Sequence, residues 1–213
     1  ESNSCGDALD RFSVIKENIK RMIEIKKRAD EYNKIKNDPA MKHNEEKISQ
    51  KLDQMQIYLK KIPKEARTYL FRVFSDCIFF TQSRYDDLKC SLVGYIQKHS
   101  NKINNLLKTF KIHLAPKSKK NADLSQIKEY SFEDYLNILD MNKFDFSFDV
   151  VLLAEVYSRN LRLLSLSSKS NSSLEEYFVD FGFEKDVCIS LIPELEPYYK
   201  KSYIADIAEC QMC

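Results

Sequence analysis

The sequence predicts an α+β fold, in which helices come first and a small sheet is formed by strands late in the chain. Helical patterns of apolar residues occupy residues 7–36, 48–62, 69–80, 85–98, 101–110, 130–139 and 146–160. Short apolar runs typical of strands follow only at 161–166 and 187–192. Hydrophobic residues make up 43% of the 213 residues, which is enough material for a buried core.

The first 62 residues are predicted to form a helical hairpin that precedes a domain at 63–213. Pro39 stops the first helical run, and a second run of the same kind follows it. Each apolar stripe is narrow, so it must pack on the other helix, on a second copy of the chain or on the following domain. The expected interaction surface consists of Leu9, Phe12, Ile19, Met22, Ile48, Leu52, Met55 and Leu59.

The predicted domain begins with a buried helix and continues with amphipathic ones. Residues 69–80 are almost entirely apolar, as in a helix buried in a core. The helices at 85–98 and 101–110 are amphipathic, and the polar stretch at 115–126 is predicted to be a loop. Ser131 is a suitable N-cap for the helix at 130–139, and 146–160 reads as another buried helix. A serine-rich loop at 167–173 separates the two predicted strands.

Charge, glycine and cysteine content indicate which functions the overall composition does not favour. The 34 Lys and Arg residues nearly balance the 32 Asp and Glu residues, so we expect no direct binding to nucleic acid. Three glycines are too few for a phosphate-binding loop. Cys210 and Cys213 form a single CxxC without a second pair, so we expect no metal and no cofactor. Cysteine usage indicates an intracellular protein of the cytoplasm or nucleus, and no apolar stretch is long enough for a membrane span.

Three blocks of the sequence carry a family resemblance. They are YLFRVFSDCIFFTQSRYDDLKCSLVGYIQKHSNKI from residue 69, YSFEDYLNILDMNKFDFSFDVVLLAEVYSRNLRLLSL from residue 130, and ELEPYYKKSYIADIAECQ from residue 194. In this order, over about residues 58–213, they resemble the ovarian-tumour (OTU) family of cysteine deubiquitinases, in particular its ovarian-tumour/OTUD-like branch. The resemblance implies an OTU-like cysteine-protease fold with a small sheet among helices. It also implies a cleft in which a thiolate, paired with histidine, attacks a ubiquitin linkage.

The positions that this resemblance assigns to catalysis hold unsuitable residue types. The nucleophile position falls on Tyr69, the loop aspartate and glycine on Ala66 and Arg67, the histidine on Tyr198, and the acidic residue after it on Lys200. A tyrosine with the ordinary pKa of about 10 is protonated at neutral pH and cannot replace a thiolate. We therefore predict an inactive OTU homologue, a pseudoenzyme that acts as a scaffold by binding a protein partner, with ubiquitin among the candidates.

Two further functions stay open at this point. One is a residual deubiquitinase that uses a relocated cysteine, Cys77 or Cys90. The other is an adaptor in ribonucleoprotein or germline regulation, because residues 14–59 also resemble the self-associating helical region of caprin-type ribonucleoprotein-granule proteins. This second resemblance implies a coiled-coil homodimer through the hairpin, or docking of the hairpin to a ribonucleoprotein component.

Overall fold

The computed structural model describes residues 4–35, 50, 52–54, 57–60, 68–110, 132–140, 146–166, 174–191 and 198–201. Six helices have both ends within these residues: α1 (Ser4–Ile35), α2 (Tyr69–Phe79), α3 (Tyr85–Lys98), α4 (Ser100–Phe110), α5 (Phe132–Asp140) and α6 (Phe146–Val156). The five strands over the same residues are β1 (Ile57–Lys60), β2 (Arg159–Leu166), β3 (Leu174–Val179), β4 (Lys185–Ser190) and β5 (Tyr198–Lys201). A single 3₁₀ turn, Gln82–Arg84, links α2 to α3.

The helices of the predicted domain lie where the apolar periodicity indicates. The α3 helix carries Asp86 and Asp87 in its first turn and Lys98 in its last turn, the arrangement that complements the helix dipole. The helix predicted over 146–160 is shorter than expected, because α6 ends at Val156 and residues from Arg159 onwards belong to β2. The predicted loops at 115–126 and 167–173 lie outside the described residues.

The main sheet has the strand order β3-β2-β4, with β3 antiparallel and β4 parallel to the central strand. The segment 180–184 must therefore cross the start of β2 to bring the chain from one edge of the sheet to the other. The buried side chain of Asn160 holds this crossing segment through hydrogen bonds. Its side-chain amide donates to the carbonyl oxygen of Phe183 at 2.6 Å, and its side-chain oxygen accepts from the backbone N–H of Phe181 at 2.9 Å.

A second, two-stranded sheet joins distant parts of the sequence. Strands β1 and β5 pair antiparallel, with Lys60 opposite Tyr198 and Tyr58 opposite Lys200. Residues 57–60 are therefore extended, so the second helix that we predicted over 48–62 is wrong at its C-terminal end, although residues 52–54 are helical. The helical spacing of Leu52, Met55 and Leu59 misleads here, because the pairing of β1 with a strand almost 140 residues later is invisible to local periodicity.

Helix α1 packs on α6 and on strands β2 and β3. Its buried stripe consists of Ile15, Ile19, Met22, Ile25 and Ala29. The first four of these side chains belong to the same hydrophobic cluster as those of α2, α6 and the main sheet. Polar contacts reinforce this packing, because Arg11 donates to the carbonyl oxygen of Phe181 at 2.9 Å and Asn18 donates to that of Asp180 at 2.9 Å. Whether residues 1–62 form a separate unit stays a prediction.

The expected interaction surface on the hairpin needs correction in several places. Ile19 and Met22 are fully buried in the chain's own core, and Leu52 is 5% exposed, so these side chains are not open to a partner. Phe12 is half-buried, and Leu59 lies in β1 rather than on a helix. The side chain of Leu9, and residues Ile48 and Met55 as a whole, lie outside the described part of the chain.

Candidate functional site

The residue at the predicted nucleophile position, Tyr69, is the first residue of α2. The preceding residue, Thr68, is buried, and its hydroxyl makes no capping hydrogen bond to the helix. Instead, Thr68 Oγ1 accepts a hydrogen bond from Arg72 Nε at 3.2 Å, and the Arg72 guanidinium lies 4.3 Å from the centre of the Tyr85 ring. The helix thus begins with a phenol-bearing residue and a guanidinium, without any thiol.

The other predicted positions are only partly described. Tyr198 and Lys200 lie in β5, and both β5 and α2 contact β4, so β4 is the common neighbour of the two segments. Ala66 and Arg67 lie outside the described residues. None of these four positions has a residue type that can act at neutral pH as a nucleophile paired with a general base.

Three cysteines with described side chains bear on the alternative of a relocated nucleophile. Cys77 lies eight residues after Tyr69, about 12 Å further along α2 at 1.5 Å per residue. Cys188 lies in β4, and burial, with smaller contributions from Cys77 and Asp186, raises the pKa of its thiol to about 12. Such a thiol stays protonated at neutral pH and is therefore unreactive. Cys90 is exposed on α3.

His99, at the C-terminal end of α3, has aromatic neighbours. Its ring centre lies 4.6 Å from that of Tyr95 and 5.4 Å from that of Phe12 on α1. Cys90 precedes His99 by nine residues, which places it about 13 Å away along the helix and on the opposite face. Burial, and then the positive charges of Lys98 and Lys102, lower the pKa of His99. His99 is therefore not a general base for Cys90, and His43 and His113 lie outside the described residues.

A charged pair lies next to this aromatic group and connects α1 to α6. Arg11 forms a bidentate ion pair with Glu155, whose side chain is 11% exposed. The Arg11 guanidinium also lies 4.6 Å from the centre of the Phe183 ring. Burial, and then the charge of Glu155, raise the pKa of Tyr95 to about 12. This network fixes α1 in place, and sequence patterns gave no signal for it because its members are far apart in the chain.

Aromatic side chains lie at the ends of α2 and α6, and we call Phe79, Phe80, Arg84 and Tyr157 together the Phe80 surface. Phe80 and Arg84 are exposed, whereas Phe79 and Tyr157 are half-buried. Phe79 and Tyr157 meet edge to face at 6.2 Å, and the Arg84 guanidinium lies 4.1 Å above Phe79. Phe80 is 77% exposed and has the left-handed backbone φ of 57°, which bulky residues rarely adopt. Sequence reasoning missed this residue, because Phe80 simply ends an apolar run in which every side chain looks like core.

With this geometry in view, the comparison with solved structures is informative. The chain is similar to the OTU domain of OTUD1, with a TM-score of 0.50 and 17% sequence identity, over 75% of this chain and 95% of that domain. The chain therefore has an OTU-like α+β fold, which confirms the fold class predicted from the sequence. No family model and no curated protein matches the sequence.

Two further observations concern the described residues alone. Within them, no three side chains of His, Cys, Asp or Glu are grouped so that they could hold a metal ion. None of the helices described here is both long enough and apolar enough to cross a lipid bilayer.

Proposed function

We propose that this chain is a protein-binding module that uses an OTU fold and has no deubiquitinase activity. The observation that carries the proposal is Tyr69 as the first residue of α2, the helix whose N-terminus should carry the nucleophile if the OTU resemblance holds. Tyr198 and Lys200 in β5 support it, because neither can activate a thiol as histidine does. Catalytic groups that act as a unit lose orders of magnitude in rate when one member is absent.

The Phe80 surface supports the binding part of the proposal. Exposing a phenylalanine and holding it in a left-handed conformation are both unfavourable, and such features often coincide with function. Aromatic and arginine side chains are also enriched among the residues that contribute most to protein interfaces. We propose that a protein partner docks its apolar side chains on Phe80, and ubiquitin is the first partner to test.

The decisive experiment treats the purified chain with ubiquitin that carries a cysteine-reactive group at its C-terminus, alongside an active OTU enzyme. We expect no covalent adduct with the chain. The matched control is Tyr69→Cys, which offers the probe a thiol at the predicted nucleophile position. An adduct that forms with Tyr69→Cys alone would mean that ubiquitin still docks in the ancestral orientation.

The second candidate function is hydrolysis by a relocated cysteine, and the exposed thiol of Cys90 is the observation that keeps it open. Diubiquitins of all linkage types should stay intact in the presence of the chain. Turnover that disappears in Cys90→Ala or Cys77→Ala would overturn the proposal and establish this second function.

A further inference from the structure

Although the net charge of the whole chain is close to zero, one segment of it is strongly basic. Residues 88–122 contain eight lysines and two histidines, without a single aspartate or glutamate. Because the whole chain carries +2 and this segment carries +8, the remainder carries −6. Asymmetry of this kind is typical of chains that bind an anionic partner through one region.

The described part of this segment, residues 88–110, carries lysines on the last turn of α3 and along α4. Lys98 at the end of α3 and Lys108 on α4 are exposed, and Lys102 at the start of α4 is half-buried with its ammonium 4.5 Å from the centre of the Phe12 ring. Over residues 68–110, no carboxylate forms an ion pair with any of these three lysines. The acidic group that raises the pKa of His99 is Glu155, which already forms an ion pair with Arg11.

The positive charges act on one another within this region. Lys98 and Lys102 both lower the pKa of His99, so they lie close enough to oppose a further positive charge there. Amide and hydroxyl side chains are interspersed with these lysines along the sequence, and Gln97, Asn101, Asn105 and Thr109 are exposed on the same two helices. We call this region of Gln97–Lys98, Asn101–Lys102, Asn105 and Lys108–Thr109 the basic end.

We propose that the basic end binds the phosphate backbone of a nucleic acid. Lysines with interspersed amide and hydroxyl groups are the side chains that contact phosphates, sugars and base edges. A lipid bilayer fits less well, because the exposed large apolar side chains of the described segments are Phe80 and Ile23, and neither belongs to the basic end. An acidic polypeptide would form ion pairs with the lysines, but it would leave the amide side chains without a specific role.

The proposal predicts the size of the salt dependence. Each lysine that neutralises a phosphate of a single strand contributes about 0.7 to the slope of log K against log salt concentration. The three lysines of the basic end should therefore contribute about 2, which corresponds to a loss of affinity of at least about tenfold between 50 and 200 mM salt. Lysines 111, 117, 119 and 120 follow in the sequence and lie outside the described residues.

The test uses the full chain and fluorescence anisotropy with a labelled 20-nucleotide single-stranded RNA and a 20-base-pair DNA duplex, titrated at several salt concentrations. The variant Lys98→Gln/Lys102→Gln/Lys108→Gln removes three charges from the basic end. Its matched control, Arg21→Gln/Lys27→Gln/Lys185→Gln, removes three charges from exposed positions elsewhere. Circular dichroism checks that both variants remain folded.

We expect the first variant to bind at least tenfold more weakly and to lose about 2 from its salt slope, while the control changes less than threefold. Equal losses in both variants, or no binding of wild type to either probe at 50 mM salt, would overturn the proposal. Displacement of the RNA by polyglutamate at equal charge concentration would point to an acidic protein instead. The basic end and Tyr69 are separate in the sequence and would bind different partners. A failure to bind nucleic acid would therefore leave the result of the ubiquitin-probe experiment unaffected.

Discussion

The sharpest prediction concerns whether α1 is part of the cooperative core or an appendage to it. Ile19 and Ile23 are the same residue type on the same helix, one turn apart, yet Ile19 is fully buried and Ile23 is 38% exposed. Replacing Ile19 with alanine removes three buried carbon atoms, worth about 0.8 kcal/mol each in transfer free energy. With the cavity left behind, we expect Ile19→Ala to lower the free energy of unfolding by about 3–4 kcal/mol.

The control, Ile23→Ala, should lower the free energy of unfolding by about 1 kcal/mol or less, because its side chain keeps much of its contact with water. Urea unfolding followed by circular dichroism measures both changes. With a slope of about 2 kcal/mol per molar urea, the midpoint of Ile19→Ala should fall by about 1.5–2 M. Equal midpoints for the two variants, or a separate early transition for α1, would refute the conclusion that α1 shares the core.

Two further predictions test individual residues. Phe80→Gly should raise the free energy of unfolding by about 0.5–1 kcal/mol, because glycine adopts the left-handed conformation without strain. The control, Phe80→Ala, removes the same ring but keeps the Cβ atom, so it should bring no such gain. Thermal melts of both variants measure the difference. His99 has a folded-state pKa below its unfolded value, so its contribution to stability is complete above about pH 6.5 and is lost as pH falls through the folded-state pKa. Urea midpoints measured between pH 7.5 and 5 should therefore decline less in His99→Gln than in wild type, and parallel declines would contradict the assignment.

Helices with a regular apolar pattern were predictable from sequence because their hydrogen bonds are local. The apolar run of α2 and the amphipathic stripes of α3 and α4 depend on side chains three or four residues apart. The central strand β2 and its parallel partner β4 were also predictable, since both are short apolar runs in the sequence.

The elements that sequence reasoning missed depend on distant partners. Strand β3, with the sequence LEEYFV, is half-buried along most of its length and shows no clean alternation, so only its pairing with β2 defines it. The edge-to-face contact between Phe79, at the end of α2, and Tyr157, just after α6, likewise joins residues that are far apart in the chain. Local sequence patterns carry no information on such long-range contacts.

The burial of α1 also has a consequence for the time at which the chain can fold during synthesis. The stripe that includes Ile15, Ile19 and Met22 is translated before α6, against which it packs, and α6 follows roughly 120 residues later. At about 5–20 residues per second, the ribosome needs about 6–25 s to make the intervening polypeptide. For that interval the apolar face of α1 lacks the element against which it packs in the folded chain, and an uncovered apolar face of this kind favours aggregation.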